Sequence, residues 1–216
     1  MLIPVALQTL FGGDATNAQP LFVEALAIGQ RFGDADLTAL GRLGLGNVLL
    51  AFGRRDDGFA LLDDAMLSVI AGEVSPVISG IVYCAVIETC HESFDLRRAG
   101  EWTEALGRWC DAQPDLVAFR GQCRTHRAEI MMLHGQWTCA LDEVQRACDV
   151  MLRPPPQPAV GDALYHKAEL HSLRGEFADA EEAFRAASEW GREPQPGLAL
   201  LRLAQGRTDS AAAAIR

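Results

Sequence analysis

The sequence has almost no lysine and no long apolar run. Lys167 is its one lysine, and acidic residues outnumber basic ones, so that the formal net charge is −10. A nucleic-acid-binding domain usually carries a basic patch or stripe, and we therefore expect no direct contact between this chain and DNA or RNA. No apolar segment approaches the ~18 residues of a transmembrane helix, so we expect no membrane association either.

The six cysteines also lack a recognisable motif. No two of them have the C-x-x-C spacing of zinc ribbons and thioredoxin-like proteins, which argues against both classes. The N-terminal stretch MLIPVALQTLFGG has no basic residue before its apolar part, and we interpret it as part of the fold and not as a signal peptide. The cysteines are then expected to be reduced, buried side chains of a cytoplasmic protein.

Signatures of catalysis are missing as well. Lys167 lies in YHKAE, so the sequence has no G-x-x-x-x-G-K-[ST] phosphate-binding loop. We found no nucleophile elbow and no paired-carboxylate active site. We therefore predict that the protein is not an enzyme, that no residue is catalytic, and that it holds no cofactor and no metal.

What the sequence does contain is a pattern of small residues around six glycines. In nearly every unit, a small residue lies seven positions before the glycine and another lies five positions after it. An apolar residue follows at nine and alanine at twelve. The six glycines are Gly13, Gly53, Gly100, Gly135, Gly175 and Gly206.

Helical hairpins explain this spacing. Glycine adopts positive φ without a Cβ penalty, which suits the turn between two helices. Small residues on both sides of the turn let the two helices approach closely. The pattern predicts an all-α, right-handed solenoid of about five to six degenerate tetratricopeptide-like helix–turn–helix repeats. We expect it to form a single domain over residues 1–216.

The spacing between the glycines varies from 31 to 47 residues, so the predicted repeats are irregular. The longest interval, from Gly53 to Gly100, predicts two lengthened helices around a GEVSP turn. Two proline-rich segments, RPPPQP from Arg153 and GREPQPG from Gly191, are expected to separate repeats. A generic alanine-rich helical bundle is the alternative interpretation of the same residues.

The C-terminal segment AAAAIR is apolar, whereas a terminal solenoid repeat usually needs a polar capping face. We therefore expect the chain to be a piece of a longer protein or a truncated reading frame. An uncovered apolar end would also favour a homodimer formed through the C-terminal repeat.

Several phrases of the sequence are similar to one family. GLGNVLLAFGR, the segment from AGEVSPVISG to MMLHGQW, and AELHSLRGEFADAEEAFRAASEWGREPQPGLALLRLAQGR resemble the helical repeat region of large LuxR-type transcriptional regulators from GC-rich bacteria. The resemblance extends from about Gly41 to the C-terminus. It implies a repeat region that senses an inducer or partner, with an ATP-binding module before it and a DNA-binding helix-turn-helix after it. It transfers no site residue to this chain.

Two small clusters could suggest chemistry. Cys123, His126 and Glu129 share one face of a predicted helix and could bind a metal, but no second ligand cluster accompanies them. Cys90 and His91 could suggest a nucleophile, yet neighbours in sequence point in different directions on a helix. We favour a core cysteine and solvated polar side chains in the first case, and a buried structural thiol in the second.

The concave face of the predicted solenoid is the better candidate site, because stacked repeats form extended concave surfaces. In tetratricopeptide repeats it is lined from the first helix of each pair, by positions thirteen, ten, six and three before the turn glycine. An ordinary solvated face is the alternative for each residue. The strip that we expect to line a groove comprises Ile87, Cys90, Phe94, Arg97, Gln122, Thr125, Glu129, Met132, Asp162, Tyr165, Glu169 and Ser172.

The four tryptophans, in contrast, are assigned to the core. The leading functional hypothesis is a non-catalytic interaction and sensor module of a LuxR-type regulator, which binds a protein, a peptide or a small effector in this groove. A free-standing scaffold that binds a partner peptide is the alternative.

Overall fold

This computed structural model describes residues 2–112 and 119–215, which form twelve α-helices and no β-strand. The predicted all-α class is confirmed. By its internal contacts the chain divides into two compact units, unit 1 (Met1–Trp102) and unit 2 (Thr103–Arg216). The prediction of a single domain concerns the join between them and stays a prediction.

Unit 1 is built from sequential helices, and from α1 to α5 each helix packs against the next. Its helices are α1 (Leu2–Phe11), α2 (Ala15–Phe32), α3 (Ala35–Ala51), α4 (Arg55–Ile70), α5 (Pro76–Glu92) and the first part of α6 (Leu96–Ala112). The N-terminal apolar stretch is therefore helix α1. None of the helices in the described ranges is both long enough and apolar enough to cross a bilayer.

Unit 2 repeats the same arrangement with shorter helices. After the end of α6 come α7 (Arg120–Leu133), α8 (Trp137–Met151), α9 (Val160–Leu173), α10 (Phe177–Glu189), α11 (Gly197–Ala204) and α12 (Thr208–Ala214). The two proline-rich segments separate α8 from α9 and α10 from α11, as predicted.

Tight turns join the helices in pairs. Five of the six predicted turn glycines have a positive φ, between 73° and 85°, and each precedes the second helix of its pair by two residues. The small residues at the predicted distances are buried, because the paired helices meet there. The buried small residues that lie five positions after each turn glycine are Ala18, Gly58, Ala140, Ala180 and Ala211.

The third predicted turn is wrong. Gly100 lies inside α6, and the turn between α5 and α6 is made by Phe94, whose φ is 56°. A search based on glycine misses a turn in which another residue takes the left-handed conformation. Counted from Phe94, the small residue five positions on is Ala99, which is fully buried. Gly53 and Gly135 are then equally distant from the turn.

The correction also explains the long interval after Gly53. Helices α4 and α5 have 16 and 17 residues, comparable with the 18 and 17 of α2 and α3. The predicted turn in GEVSP is present, but the helices on either side of it are not lengthened. The interval from Gly53 to the next turn is shorter than predicted, because that turn lies at Phe94, six residues before Gly100.

Close helix contact in unit 1 depends on glycine. A Cβ atom on Gly41 of α3 would lie 2.9 Å from the backbone nitrogen and Cα of Leu26 on α2. A Cβ on Gly44 would overlap the ring of Phe22, which is fully buried. Helices α2 and α3 can therefore pack this closely only while Gly41 and Gly44 carry no side chain.

Unit 2 packs through alanines and medium-sized apolar side chains. One cluster forms around Ala140, Val144 and Ala147 of α8 and Leu170 of α9. A second forms around Phe184 of α10, which lies edge-on to a tyrosine ring of α9. These clusters fix α7, α9 and α11, the first helices of successive pairs, beside one another.

Candidate functional site

Unit 2 carries an open cavity of about 410 Å³ along the first helices of its three pairs. Much of its surface is apolar, and four of its large apolar side chains are between 40% and 59% exposed. It is lined by Met132 and Leu133 from α7, Trp137 from α8, Glu169, Ser172 and Leu173 from α9, and Gly197 and Leu200 from α11. We call it the unit 2 cavity.

Unit 1 carries a cavity of similar size, about 400 Å³. Helices α1, α3 and α5, again the first helices of three pairs, supply its walls. It is lined by Leu10, Phe11, Asn47, Leu50, Ala51, Ala85, Glu88, Thr89, Glu92 and Ser93. We call it the unit 1 cavity.

The two cavities lie at the same positions of the repeat. Residues three and six before a turn are about one helical turn apart and share a face of the first helix. The lining residues three positions before a turn are Leu10 and Leu50 in unit 1 and Met132 and Ser172 in unit 2. The lining residues six positions before a turn are Asn47 and Glu88 in unit 1 and Glu169 and Leu200 in unit 2. Both units therefore present the same face of their first helices to a cavity.

A hydrogen-bonded histidine contacts Glu169, one of the residues that line the unit 2 cavity. His166 of α9 places its Nε2 2.6 Å from Oε1 of Glu129 on α7, and its Nδ1 3.0 Å from Oε2 of Glu169. The second oxygen of Glu129 lies 3.1 Å from Nδ1 of His126. The network thus joins α7 to α9 and ends on Glu169, a cavity residue.

The protonation states of this network follow from its geometry. Burial by itself lowers the pKa of His166, but hydrogen bonds to Glu129 and Glu169 and the two negative charges outweigh it and raise that pKa to about 9. Burial raises the pKa of Glu129, but its hydrogen bonds with both histidines outweigh this and hold that pKa far below its usual range. At neutral pH His166 is therefore an imidazolium between two carboxylates.

The groove strip expected from the sequence is only partly present. Met132, Glu169 and Ser172 line the unit 2 cavity. Gln122 is half-buried on α7. The side chain of Asp162 is 57% exposed, and its Oδ1 pairs with Nε of Arg192 at 2.9 Å.

Other members of the strip are buried. Thr125 is 5% exposed and its hydroxyl donates to the carbonyl of Gly121. Tyr165 is 4% exposed, and its hydroxyl oxygen accepts the backbone N–H of Gly197 at 3.0 Å. The Thr125 bond lies within α7, whereas the Tyr165 bond joins α9 to α11, and neither side chain presents a surface to a ligand.

The strip predicted for unit 1 was counted from Gly100 and does not match the cavity, because the turn lies at Phe94. Cys90 is fully buried, and Phe94 and Arg97 lie at the α5–α6 turn, outside the described cavity lining. Ile87, one helical turn before Cys90, is also fully buried. Counting from the corrected turn moves the strip by six residues and brings Glu88 to the cavity.

Trp137 differs from the prediction that all four tryptophans lie in the core. It is 40% exposed and lines the unit 2 cavity. It is the first residue of α8, a position whose side chain lies beside the turn and not in the helix interface. Leu133 and Leu173 were missed for a similar reason, since both lie next to a turn.

The two chemical clusters considered from the sequence do not form reactive sites in the described residues. Burial raises the pKa of the Cys90 thiol to about 12, so the thiol stays protonated at neutral pH. Cys123, His126 and Glu129 do not converge as a metal-ligand set. The group that does converge is His171, Glu176 and Asp179.

This converging group is already occupied by other interactions. His171 Nδ1 lies 2.7 Å from Oε2 of Glu176, and Arg174 lies 2.8 Å from the other carboxylate oxygen. The arginine neutralises the carboxylate and opposes a cation. Of the six cysteines, five are buried as predicted, and Cys139 is exposed.

Comparisons with known proteins identify the fold. No family model and no curated protein sequence matches the chain. Among solved structures, BtubC (BKLC) from P. vanneervenii has a TM-score of 0.66 and 19% identity, with 87% of this chain and 78% of that chain covered.

Two structures of the nearly identical TPR-like repeats of a "putative kinesin light chain" from Podosopora anserina are also similar. Their TM-scores are 0.63 and 0.62, each at 14% identity; the matches cover 88% and 90% of this chain and 92% and 95% of those chains. The prediction of a tetratricopeptide-like repeat fold is therefore confirmed, and this chain has the fold of these repeat proteins.

Proposed function

We propose that this chain is a non-catalytic interaction module that binds a peptide segment of a partner protein in its cavities. The observation that carries the proposal is the repetition of a cavity at the same positions of the repeat in both units. A cavity that recurs in register is a property of the architecture, and first-helix faces are the surfaces that stacked repeats offer to ligands.

Of the two cavities, the unit 2 cavity is the better candidate for binding a peptide. Leu133, Trp137, Leu173 and Leu200 are each at least 40% exposed, although they are large and apolar. Clustered exposed apolar side chains mark interaction sites more often than isolated ones do.

We further propose that the module belongs to a LuxR-type transcriptional regulator. Support comes from the sequence phrases that resemble the repeat region of that family. In this setting, partner binding controls a DNA-binding domain on the same polypeptide. A small effector molecule is the alternative ligand of the cavity. A gene that encodes the chain without an ATPase module and a helix-turn-helix would favour the free-standing scaffold instead.

Site-specific crosslinking tests the binding function. Benzoylphenylalanine placed at Leu173, which lines the unit 2 cavity and is 51% exposed, should form a crosslink with a partner in cells. The matched control is Leu67 of α4, which is 61% exposed and outside both cavities. Identical adducts at both positions, or none at Leu173, would contradict the proposal.

We also propose that the chain forms a homodimer through α11 and α12. Leu203 of α11 is 48% exposed and Ile215, directly after α12, is 68% exposed, and exposed apolar side chains are typical of association surfaces. Light scattering at increasing protein concentration should show a dimer. A monomer at every concentration would contradict it.

A further inference from the structure

We propose that the unit 2 cavity recognises a cationic, apolar peptide segment, in which a leucine-like side chain lies close to an arginine or lysine. This inference rests on the proposed function and specifies its partner. The cavity offers an apolar wall and a single type of charge, and both features constrain the occupant.

The apolar wall defines half of the ligand. Leu173, Leu200 and Trp137 are large, and each is at least 40% exposed. Covering them with an apolar side chain removes this area from water, which is the main source of favourable free energy in peptide binding. A wholly charged peptide would leave the wall uncovered.

The charge of the cavity defines the other half. Among the described lining residues of the unit 2 cavity, Glu169 is the one ionisable group. Its side chain is 28% exposed, and it shares the His166 imidazolium with Glu129. A carboxylate that lines an otherwise uncharged apolar cavity favours a cation on the ligand and disfavours an acidic one.

The carboxylate is also held in place. Glu169 Oε2 lies 3.0 Å from His166 Nδ1, and Glu129 fixes the other side of that ring. A side chain that is already ordered loses little entropy when it binds a partner. The neighbouring Trp137 adds an aromatic ring of the kind that attracts guanidinium and ammonium groups.

The unit 1 cavity carries the same sign of charge. Its described lining contains two ionisable residues, Glu88 and Glu92, one helical turn apart on α5. Two cavities in register with acidic and not basic groups support the choice of a basic partner.

Three matched peptides test the proposal. The probes are acetylated, amidated ALRALRALA, the same peptide with citrulline in place of arginine, and the same peptide with glutamate. Citrulline keeps the shape of arginine and removes its charge. An environment-sensitive dye on Cys139, the exposed cysteine and two residues from Trp137, reports binding at unit 2.

We expect the arginine peptide to bind about tenfold more tightly than the citrulline peptide, and the glutamate peptide to bind most weakly. Glu169→Gln should remove most of the preference for arginine. The control Glu182→Gln removes the same charge from a side chain on α10 that is 75% exposed, and it should retain the preference. Leu173→Ala should weaken all three peptides alike.

Each failure has a distinct meaning. Equal binding of the arginine and citrulline peptides, or equal effects of the two glutamine variants, would overturn the charge inference and leave the cavity as an interaction site. If the glutamate peptide bound more tightly than the arginine peptide, the cavity would prefer an acidic ligand and not a basic one. If none of the three peptides changes the dye signal, the proposed function of this cavity fails as well.

Discussion

The two units reach the same cavity by different packing. In unit 1, helices α2 and α3 approach so closely that Gly41 and Gly44 have no room for a Cβ atom. In unit 2, α7 and α9 are joined by an imidazolium between two carboxylates. Close packing at glycine thus holds α2 against α3 in unit 1, and a polar network joins α7 to α9 in unit 2, so we expect these two contacts to respond differently to mutation and pH.

The largest expected effect is on the polar network. Glu129→Ala removes one partner of His166, whose side chain is 17% exposed, and should lower the stability of unit 2 by about 3 kcal/mol. Hydrogen exchange under native conditions would assign the loss to unit 2. Glu182→Ala, at an exposed position of the same unit, should change stability by less than about 0.5 kcal/mol; an equal loss in the two variants would contradict the role of the network.

The glycines of unit 1 should follow. Gly41→Ala places a Cβ atom 2.9 Å from the backbone of Leu26, so one helix must move, and we expect a loss of about 2 kcal/mol. Gly100→Ala is the control, because nothing lies within 4 Å of its Cβ and it is inside α6. It should stabilise the protein by up to about 1 kcal/mol through helix propensity.

Urea denaturation of both glycine variants measures this pair of effects. Opposite signs would establish that close packing at α2 and α3 decides the outcome. A Gly41→Ala protein that is as stable as wild type would mean that the helices can separate without cost, and the contrast between the units would disappear.

The response to pH should separate the units next. The pKa of His166 is raised from 6.5 to about 9 in the folded protein. Its contribution to the stability of unit 2 is therefore complete below about pH 6.5 and is lost as the pH rises towards 9, at no more than about 1.4 kcal/mol per pH unit. Denaturation from pH 6 to 9 should show this slope, and His166→Gln should remove it. An unchanged slope in the variant would assign the effect to another group.

Helix capping gives the smallest contrast. In unit 1, Asp34 accepts the backbone N–H of Leu37 at 2.9 Å and caps α3. In unit 2, the side chain of Gln136 makes no such bond at the start of α8. Asp34→Ala should cost about 1 kcal/mol and Gln136→Ala only a few tenths, as measured by thermal melting. Equal losses would indicate that the cap contributes little.

The sequence predicted most of the architecture because turn glycines and small interface residues are local requirements. Gly53 and Gly175 mark their turns in the structure as expected, with φ of 76° and 77°. Phe94 is the exception among the predicted turns, because a non-glycine residue takes the left-handed conformation there. One misplaced turn was enough to shift the candidate groove of unit 1.

The site itself was only partly predictable. The offsets of three and six residues before a turn found Met132 and Glu169 because one helix face lines the cavity. The network around His166 brings together residues of α7 and α9, and no local pattern encodes that meeting. Trp137 was missed because its position in the sequence resembles a packing position, while the structure leaves 40% of it exposed.

Methyl NMR of the methionines tests the central claim most directly, that the cavity between α7, α9 and α11 is the interaction surface. Met132 lines the unit 2 cavity, whereas Met66 and Met151 are fully buried in the two cores. On addition of the arginine–leucine peptide, the Met132 methyl signal should shift and saturate while the other two stay in place. Binding of the peptide without a shift at Met132 would contradict the account.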